Sequence, residues 1–352
     1  MRTRAASALA KLLLNVSAPD DPRWMRFIAG QPEATVFHHP AWAALLTETY
    51  GYRPLLLTQV DSRGEILAGA PFLEVHSRLT GHRSISLPFS DYCPPLARDG
   101  QALADFSDAL VAWQTRGAVP LELRGTLPAR PGIRQVPFGV RHLLPLQREA
   151  ARLLARFDQP VRQRIRRASR EGLTARIGAA QADLEPFYRL HWQTRQRLGV
   201  PVQPRRFFQI LWHRIVESGL GFVVFVEKDA QPIAANLFLA WNGNLIGKYS
   251  ASDSRFWRLG PNNLMLWTGI VWGCEAGYRA FDFGKSELEN VGLRTFKSSW
   301  GSTELPLAYS WIGGAPSHAN DGLAARLLAT LIRRSPALLC RVTGELLYGH
   351  FP

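Results

Sequence analysis

The chain has 352 residues, of which 46% are hydrophobic and 20% are charged, a composition that supports folded cores and excludes a disordered or fibrous chain. The length suggests about two domains. Basic residues outnumber acidic ones by 42 to 28, and the resulting charge of +14 favours polyanionic partners such as nucleic acid, anionic lipid headgroups or phosphate-bearing cofactors.

The cysteines and the N-terminal residues bear on the cellular compartment. Cys93, Cys274 and Cys340 are an odd set without paired spacing, so we expect neither a disulfide framework nor a cysteine-type zinc site. The N-terminal apolar run is too short for a secretory signal, and no window reaches the roughly 18 apolar residues of a membrane span. We expect a reduced, cytoplasmic monomer without a metal, and the charge leaves open a peripheral position at the inner membrane face.

Two segments of the chain resemble each other without a gap. Residues 53–75 and residues 219–241 each read as a strand, a polar turn and a second strand, and Phe72 of the first aligns with Phe238 of the second. A repeat of this length predicts two copies of one supersecondary unit, one in each domain. The alternative is a chance likeness between two amphipathic hairpins.

Helical sequence precedes each hairpin, and a longer series of elements follows the second one. Apolar residues recur at helical spacing in 40–46, 183–198 and 204–218. After the second hairpin, the order is a strand, an apolar helix and another strand, over 245–250, 261–276 and 279–283. The sequence therefore predicts an α/β (α+β) fold, with helices on a mostly antiparallel sheet.

The domain organisation follows from these elements and from changes in composition. We expect an N-terminal domain over 1–150, a C-terminal domain over 151–315 and a basic amphipathic tail over 316–352. Leu and Arg alternate at helical spacing in 323–347, with a break at Pro336. Such a helix either lies on an anionic membrane surface or returns to the first domain.

The start of the helix near residue 261 is the first candidate site. Gly260 allows close approach of the backbone, and Asn262 and Asn263 contribute N–H groups to the first turn. Arg255 and Arg258 flank this turn. Since a helix N-terminus with open amides binds phosphate, these five residues predict a site for a phosphate-bearing cofactor. An ordinary helix start with solvated arginines is the alternative.

Polar residues after the next strand form a second candidate site. Asp282 lies between two phenylalanines of that strand, so it faces the opposite side, where it is a candidate base together with Glu287. Lys297 is a candidate for holding a developing oxyanion. Asp91 and Tyr92, in a proline-rich loop of the first half, are candidates for contacting the acceptor.

Five segments together resemble the FemA/FemB/FemX-type (FemAB) family and the related BioF2-like acyltransferases. Their order is more specific than any one of them, and they span about residues 37–311: HHPAW (38–42), PFSDYCPPL (88–96), RQRIRRASREG (162–172), TRQRLGVP with FF (194–208), and FDFGKSE with GLRTFKSSWG (281–301). The resemblance implies two GNAT-type domains in tandem. It also implies transfer of an aminoacyl or acyl group to an amine, from aminoacyl-tRNA or acyl-CoA.

Carried over residue by residue, the resemblance assigns roles to the basic and Phe-Lys segments. It implies acceptor contacts for Arg162, and contacts to the donor or to the transition state for Lys297, next to Phe296 as a substrate-binding residue.

The sequence thus predicts an N-acyltransferase that acts without a covalent enzyme intermediate. The acceptor would be a small-molecule or lipid-linked amine, expected on a cell-envelope or polysaccharide precursor, with tRNA and an anionic membrane surface as further candidate partners. The competing interpretation is a non-enzymatic basic protein that binds nucleic acid or an anionic membrane, in which Asp282 and Lys297 would be dispensable.

Overall fold

The computed structural model describes residues 13–77 and 81–314, together with Ile332 and Tyr348. Of these, residues 13–139 and 307–314 form a first compact unit, and residues 140–306 form a second. The first boundary precedes the expected one after residue 150, because the strand that crosses it already pairs within the second unit from Val140 onward. Apart from those two isolated residues, the expected tail lies outside the described part of the chain.

Strands and helices alternate along both units. The strands are Asn15–Ser17 (β1), Arg53–Val60 (β2), Ile66–Ser77 (β3), Gly81–Ile85 (β4), Leu96–Ala97 (β5), Leu121–Leu123 (β6), Ile133–Pro145 (β7), Thr174–Gly178 (β8), Gly221–Lys228 (β9), Gln231–Trp241 (β10), Asn244–Ser252 (β11), Ala280–Ser286 (β12) and Thr303–Ile312 (β13). The α-helices are Pro22–Ala29 (α1), Pro40–Tyr50 (α2), Gly100–Thr115 (α3), Ala150–Arg156 (α4), Gln159–Arg170 (α5), Leu184–Leu198 (α6), Arg205–Leu211 (α7), Pro261–Glu275 (α8) and Val291–Ser298 (α9). A π-helical turn, Trp212–Val216, continues α7.

The two units repeat one strand arrangement. The first unit has the order β1-β2-β3-β4-β6-β13, and the second has the order β8-β9-β10-β11-β12-β7. In each series all neighbours are antiparallel except the fourth and fifth strands, which are parallel. A helix connects the parallel pair in each unit, α3 in the first and α8 in the second, as a parallel connection requires. The fold class predicted from the sequence is confirmed.

The two similar segments both form antiparallel hairpins, as the repeat predicts. In the first, Leu55 lies opposite Phe72, and in the second, Phe222 lies opposite Phe238. Each hairpin occupies the second and third positions of its strand series.

The parallel strands of the second unit pair over only a short stretch. Asn244, Leu245 and Ile246 of β11 lie opposite Ala280, Phe281 and Asp282 of β12. Beyond Ile246, β11 continues only with β10, and β12 continues only with β7. Because the two strands separate there, an opening forms between them at the side where α8 begins.

Helix α8 is the centre of the second unit's core. It is apolar on nearly all sides and packs on β9, β10 and β11, while α5 covers it with Val161, Ile165 and Ala168. Its Gly269 lies directly against the ring of Phe238, and a Cβ atom there would overlap that ring. Phe238 in turn stacks on Phe222, with 5.2 Å between ring centroids. The close approach of helix and sheet therefore depends on a glycine at position 269.

None of the helices among the described residues is both long and apolar enough to cross a bilayer. The described cysteines, Cys93 and Cys274, are buried thiols.

Replacement of Gly269 tests this packing. We expect Gly269→Ala to lower the free energy of unfolding by about 1–3 kcal/mol, because the added methyl group overpacks the contact with Phe238. Chemical denaturation followed by tryptophan fluorescence measures the effect. Gly292→Ala is the matched control, since none of the described residues has an atom within 4 Å of its Cβ position in α9, and it should be neutral or slightly stabilising. Equal midpoints for the two variants would contradict the packing argument.

Candidate active site

A cavity of about 660 Å³ lies where β11 and β12 separate. All of its lining residues belong to the second unit, and they come from β11, β12, the turn before α8, and helices α5, α8 and α9. Its apolar wall is formed by Trp257, Met265, Leu266, Phe281, Phe283, Leu293 and Phe296. Its cationic residues are Arg164, Arg167, Arg258 and Lys297. The cavity thus joins an apolar channel to a cluster of positive charge.

The N-terminus of α8 forms one end of this cavity. Gly260 is the N-cap residue and has a left-handed backbone, with φ of 79°. In the part of the chain that the structure describes, no side chain caps the first turn. Asn262, Asn263 and the exposed Arg258 all line the cavity next to it. The partial positive charge of the helix end and these side chains suit an anionic group such as phosphate. The structure therefore brings together four of the five residues expected to bind the cofactor.

The side chain of Asn263 supports a ligand at this helix end. Asn263 is only 3% exposed, and its Nδ2 has no hydrogen-bond partner among the described residues. A buried amide without a partner is costly, unless a ligand or water supplies an acceptor. Since Asn263 lines the cavity, a ligand with oxygen acceptors would satisfy this donor.

Helix α5 supplies two arginines that the sequence analysis did not select. Arg164 and Arg167 are one turn apart and line the cavity, while Ile165 and Ala168 point into the core. The turn at Gly260 lies against this helix, because a Cβ on that glycine would be 2.9 Å from the carbonyl oxygen of Arg164. The spacing of the apolar residues Val161, Ile165 and Ala168 in the sequence could have indicated which face of α5 is buried and which carries the arginines.

Arg162, by contrast, lies outside the cavity lining. Its Nη1 donates to the carbonyl oxygens of Ala155 and Phe157, at 2.8 and 2.9 Å, and so covers the end of α4. The structure thus gives this residue a local structural contact, and its contact with the acceptor stays a prediction.

Lys297 is a buried cation at the cavity wall. Its residue is 5% exposed, and its Nζ donates to the carbonyl oxygens of Gly284 and Lys285 at 2.7 and 3.0 Å. These contacts fix the ammonium group at the end of β12, beside Phe296, which also lines the cavity. Helix spacing explains why Leu293, Phe296 and Lys297 all line the cavity, since residues three and four positions apart share one face of α9.

A charge cluster lies close to Lys297. His142 of β7 is buried, and its Nε2 is 3.2 Å from Oε2 of Glu304. Arg294 makes a bidentate pair with the same carboxylate, at 2.8 and 2.9 Å. Burial, and then the positive charge of Lys297, lower the pKa of His142, so this imidazole is neutral at neutral pH.

Asp282 faces away from the cavity. The alternation of β12 places Phe281 and Phe283 in the cavity wall, so the carboxylate between them lies on the other face of the sheet. There its Oδ2 accepts from Arg141 at 3.3 Å, and its Oδ1 accepts from the N–H of Gly284 at 2.8 Å. These contacts hold Asp282 at the bend of β12, outside the lining of the cavity.

Other residues selected from the sequence also lie outside the cavity lining. Glu287 is exposed in the loop after β12. Arg255 pairs with Asp253 at 2.6 Å and lines a separate depression of about 400 Å³. Asp91 and Tyr92 belong to the first unit and are half-buried, with the Asp91 carbonyl oxygen accepting from the Tyr309 hydroxyl. Among the described residues, the lining of the cavity therefore contains no carboxylate and no imidazole.

In the first unit, side chains of that unit occupy the start of the connecting helix and the region beside the parallel strands. Helix α3 begins at Asp99, whose Oδ1 accepts from the N–H of Ala102 at 2.8 Å. Near the parallel pair, Glu122 is buried between Arg83 and Arg124, at 3.1 and 3.5 Å. An acidic cap repels an anion, so the helix end of the second unit is the better phosphate site.

Comparisons with known proteins agree with this geometry. Residues 155–298 match the family model described as an acetyltransferase (GNAT) domain, which contains α5, the turn at Gly260, α8 and α9. No curated protein matches the chain.

Solved structures match nearly the whole chain at low sequence identity. FemX is 15% identical, with a TM-score of 0.67 over 91% of this chain and 100% of its own. L-PGS from Bacillus licheniformis is 16% identical, with a TM-score of 0.55 over 91% and 99%. A tandem GNAT protein from the clavulanic acid biosynthesis pathway is 12% identical, with a TM-score of 0.51 over 87% and 100%.

The matched domain contains the cavity and its cations, and the strand repeat extends the same architecture to the first unit. Residues 155–298 are therefore a GNAT-type acyltransferase domain, and the chain as a whole has the tandem fold found in FemX and in the tandem GNAT protein.

Proposed function

We propose that the cavity of the second unit binds a phosphate-bearing acyl donor and transfers its acyl group to an amine. The observation that carries this proposal is that Lys297 and the uncapped N-terminus of α8 meet in one cavity. An open helix N-terminus and a fixed cation in one cavity with an apolar wall match a donor with an anionic head and a reactive carbonyl. Acyl-CoA and aminoacyl-tRNA both have this form.

The anionic part of the donor would lie at the start of α8. The N–H groups of the first turn, the guanidinium groups of Arg164 and Arg258, and the amide of Asn263 would contact its phosphate oxygens. Glycine at this N-cap suits the left-handed backbone, with φ of 79°, and leaves room for α5, since a Cβ would lie 2.9 Å from the carbonyl oxygen of Arg164.

The acyl carbonyl would lie near Lys297, between the separated strands. The amine nitrogen attacks the carbonyl carbon, and the bond to the donor's sulfur or oxygen breaks as the new C–N bond forms. Lys297 would stabilise the negative charge that develops on the carbonyl oxygen. Because its ammonium group is already held by two backbone carbonyls, little reorganisation is needed when that charge appears.

The proton of the attacking amine needs an acceptor. Since the described residues of the lining provide neither a carboxylate nor an imidazole, we propose that the amine arrives neutral. After its attack, the nitrogen loses one proton to the leaving thiolate or alkoxide. Asp282 and Glu287, the candidate bases of the sequence analysis, do not line the cavity and take no proton in this scheme. The positive lining favours an anionic acceptor, such as an amine on a phosphate-bearing cell-envelope or polysaccharide precursor.

The identity of the donor is tested by mass spectrometry of ligands that co-purify with the protein, followed by transfer assays with acyl-CoA and aminoacyl-tRNA. Transfer from either one supports an enzyme with this site. Binding of nucleic acid or anionic vesicles without transfer from either donor would support the non-enzymatic interpretation.

Removal of the Lys297 charge should abolish most of the activity. We expect Lys297→Met to lower kcat by about 10²-fold or more, the usual effect of losing one oxyanion donor, with little change in donor KM. Lys228→Met, at the end of β9 and outside the cavity, is the matched control. Near-normal turnover by Lys297→Met would overturn this assignment.

Arginine substitutions should separate donor binding from chemistry. We expect Arg164→Ala and Arg258→Ala to raise the donor KM about tenfold each, because each removes one charge-assisted phosphate contact. Arg166→Ala is the control, since Arg166 is exposed on the same helix but does not line the cavity. Steady-state kinetics at fixed ionic strength measures the effect, and equal KM values in all three variants would contradict the phosphate site.

Asp282→Asn should affect the fold more than the reaction. We expect kcat within about threefold of the original and a free energy of unfolding lower by roughly 1 kcal/mol, because the pair with Arg141 is weakened. Activity assays and thermal unfolding of the same preparation measure both effects. A loss of activity as large as that of Lys297→Met, without a loss of stability, would return Asp282 to the catalytic machinery.

A further inference from the structure

The first unit carries a cluster of potential metal ligands far along the chain from the cavity residues. His76 of β3 and His82 of β4 lie directly opposite each other in the antiparallel ladder. Glu74 precedes His76 by two residues, so its side chain emerges from the same face of β3. Both imidazoles are exposed, and the carboxylate is half-buried. Strand register thus places three ligand-bearing side chains side by side.

The side chains are close enough to share one ion. The imidazole rings are stacked, with 3.6 Å between centroids and 26° between planes. One ligand atom from each of the three residues lies within 4.8 Å of the other two. Ligands about 2.1 Å from a tetrahedral Zn²⁺ ion are roughly 3.4 Å apart, so modest rotations of exposed side chains complete the geometry.

We propose that Glu74, His76 and His82 bind one divalent transition-metal ion of the Zn²⁺ type. Two imidazole nitrogens and one carboxylate oxygen are a donor set that such ions accept, with water in the remaining position. Among the residues that the structure describes, these three form the cluster of His, Cys, Asp or Glu side chains whose ligand atoms all lie within 4.8 Å of one another. The site does not depend on the proposed transfer reaction.

Arg53 of β2 tunes this site. It lies opposite Glu74 in the register, and its Nη1 is 3.2 Å from Oε2 of that carboxylate. The guanidinium group is mostly exposed, so the ion pair is weak and leaves Glu74 available to an ion. Its positive charge still competes with a metal. The affinity should therefore rise when Arg53 is neutralised.

The test is a titration of the full-length protein with Co²⁺, followed by visible absorption, and with Zn²⁺ in competition. The protein must carry no histidine tag. We expect one equivalent to bind with a Kd below about 0.1 mM, and Zn²⁺ to raise the melting temperature by mass action. His76→Ala and His82→Ala should each weaken binding at least about tenfold, and Arg53→Gln should strengthen it.

His213→Ala is the matched control. His213 is an exposed histidine that pairs with Glu217 at 3.0 Å, but it is not part of a three-ligand cluster. Its removal should leave the affinity unchanged. Because His76 and His82 are exposed, the alanine variants should keep the melting temperature of the metal-free protein. Absence of binding, equal affinity in the His76 and His82 variants, or absorption bands typical of thiolate ligands would each overturn the proposal.

Discussion

The chemistry of the second unit depends on the separation of two parallel strands. The strands β11 and β12 separate after three paired residues. Residues of both strands that would otherwise lie within a continuous sheet therefore line an open cavity. Helix α8 starts at the mouth of that cavity, and its tight contact with Phe238 fixes where the start lies. The position of α9 follows, since the carbonyl oxygens at the end of β12 anchor Lys297. One break in strand pairing therefore brings the N-terminus of α8 and the ammonium group of Lys297 to the same cavity.

Whether a feature could be predicted from the sequence depends on the range of the interactions that form it. The hairpins, the helix at 261 and its first-turn residues depend on local pattern, and the structure contains them within a few residues of the expected limits. Alternation along 281–283 also predicted correctly that Asp282 and the two phenylalanines face opposite sides. Which side holds the cavity depends on where α8 packs, and that is a tertiary property. The same holds for the basic segment. Arg162 and Arg164 both lie on α5 but point in different directions around the helix, and the position of the cavity decides which of them lines it.

The two units show how one architecture can be open or closed to a ligand. Both contain a helix after the fourth strand of the series, but the first unit caps that helix with Asp99, and the second begins it with Gly260. The first unit also fills the region of its parallel strands with the buried ions of Arg83, Glu122 and Arg124. Duplication of a fold thus does not duplicate every local feature, since one residue at the N-cap decides whether the first turn of the helix is capped by a carboxylate.

The strand series also has a consequence for biosynthesis. The last strand in the series of the first unit, β13, is encoded after the whole second unit, and its residues from Leu307 onward belong to the first unit. During translation, β6 therefore emerges long before its antiparallel neighbour, and its edge is open to non-native pairing meanwhile. A ribosome-bound chain that stops near residue 139 would lack that neighbour. Closure of the sheet of the first unit therefore waits until the second unit has been synthesised.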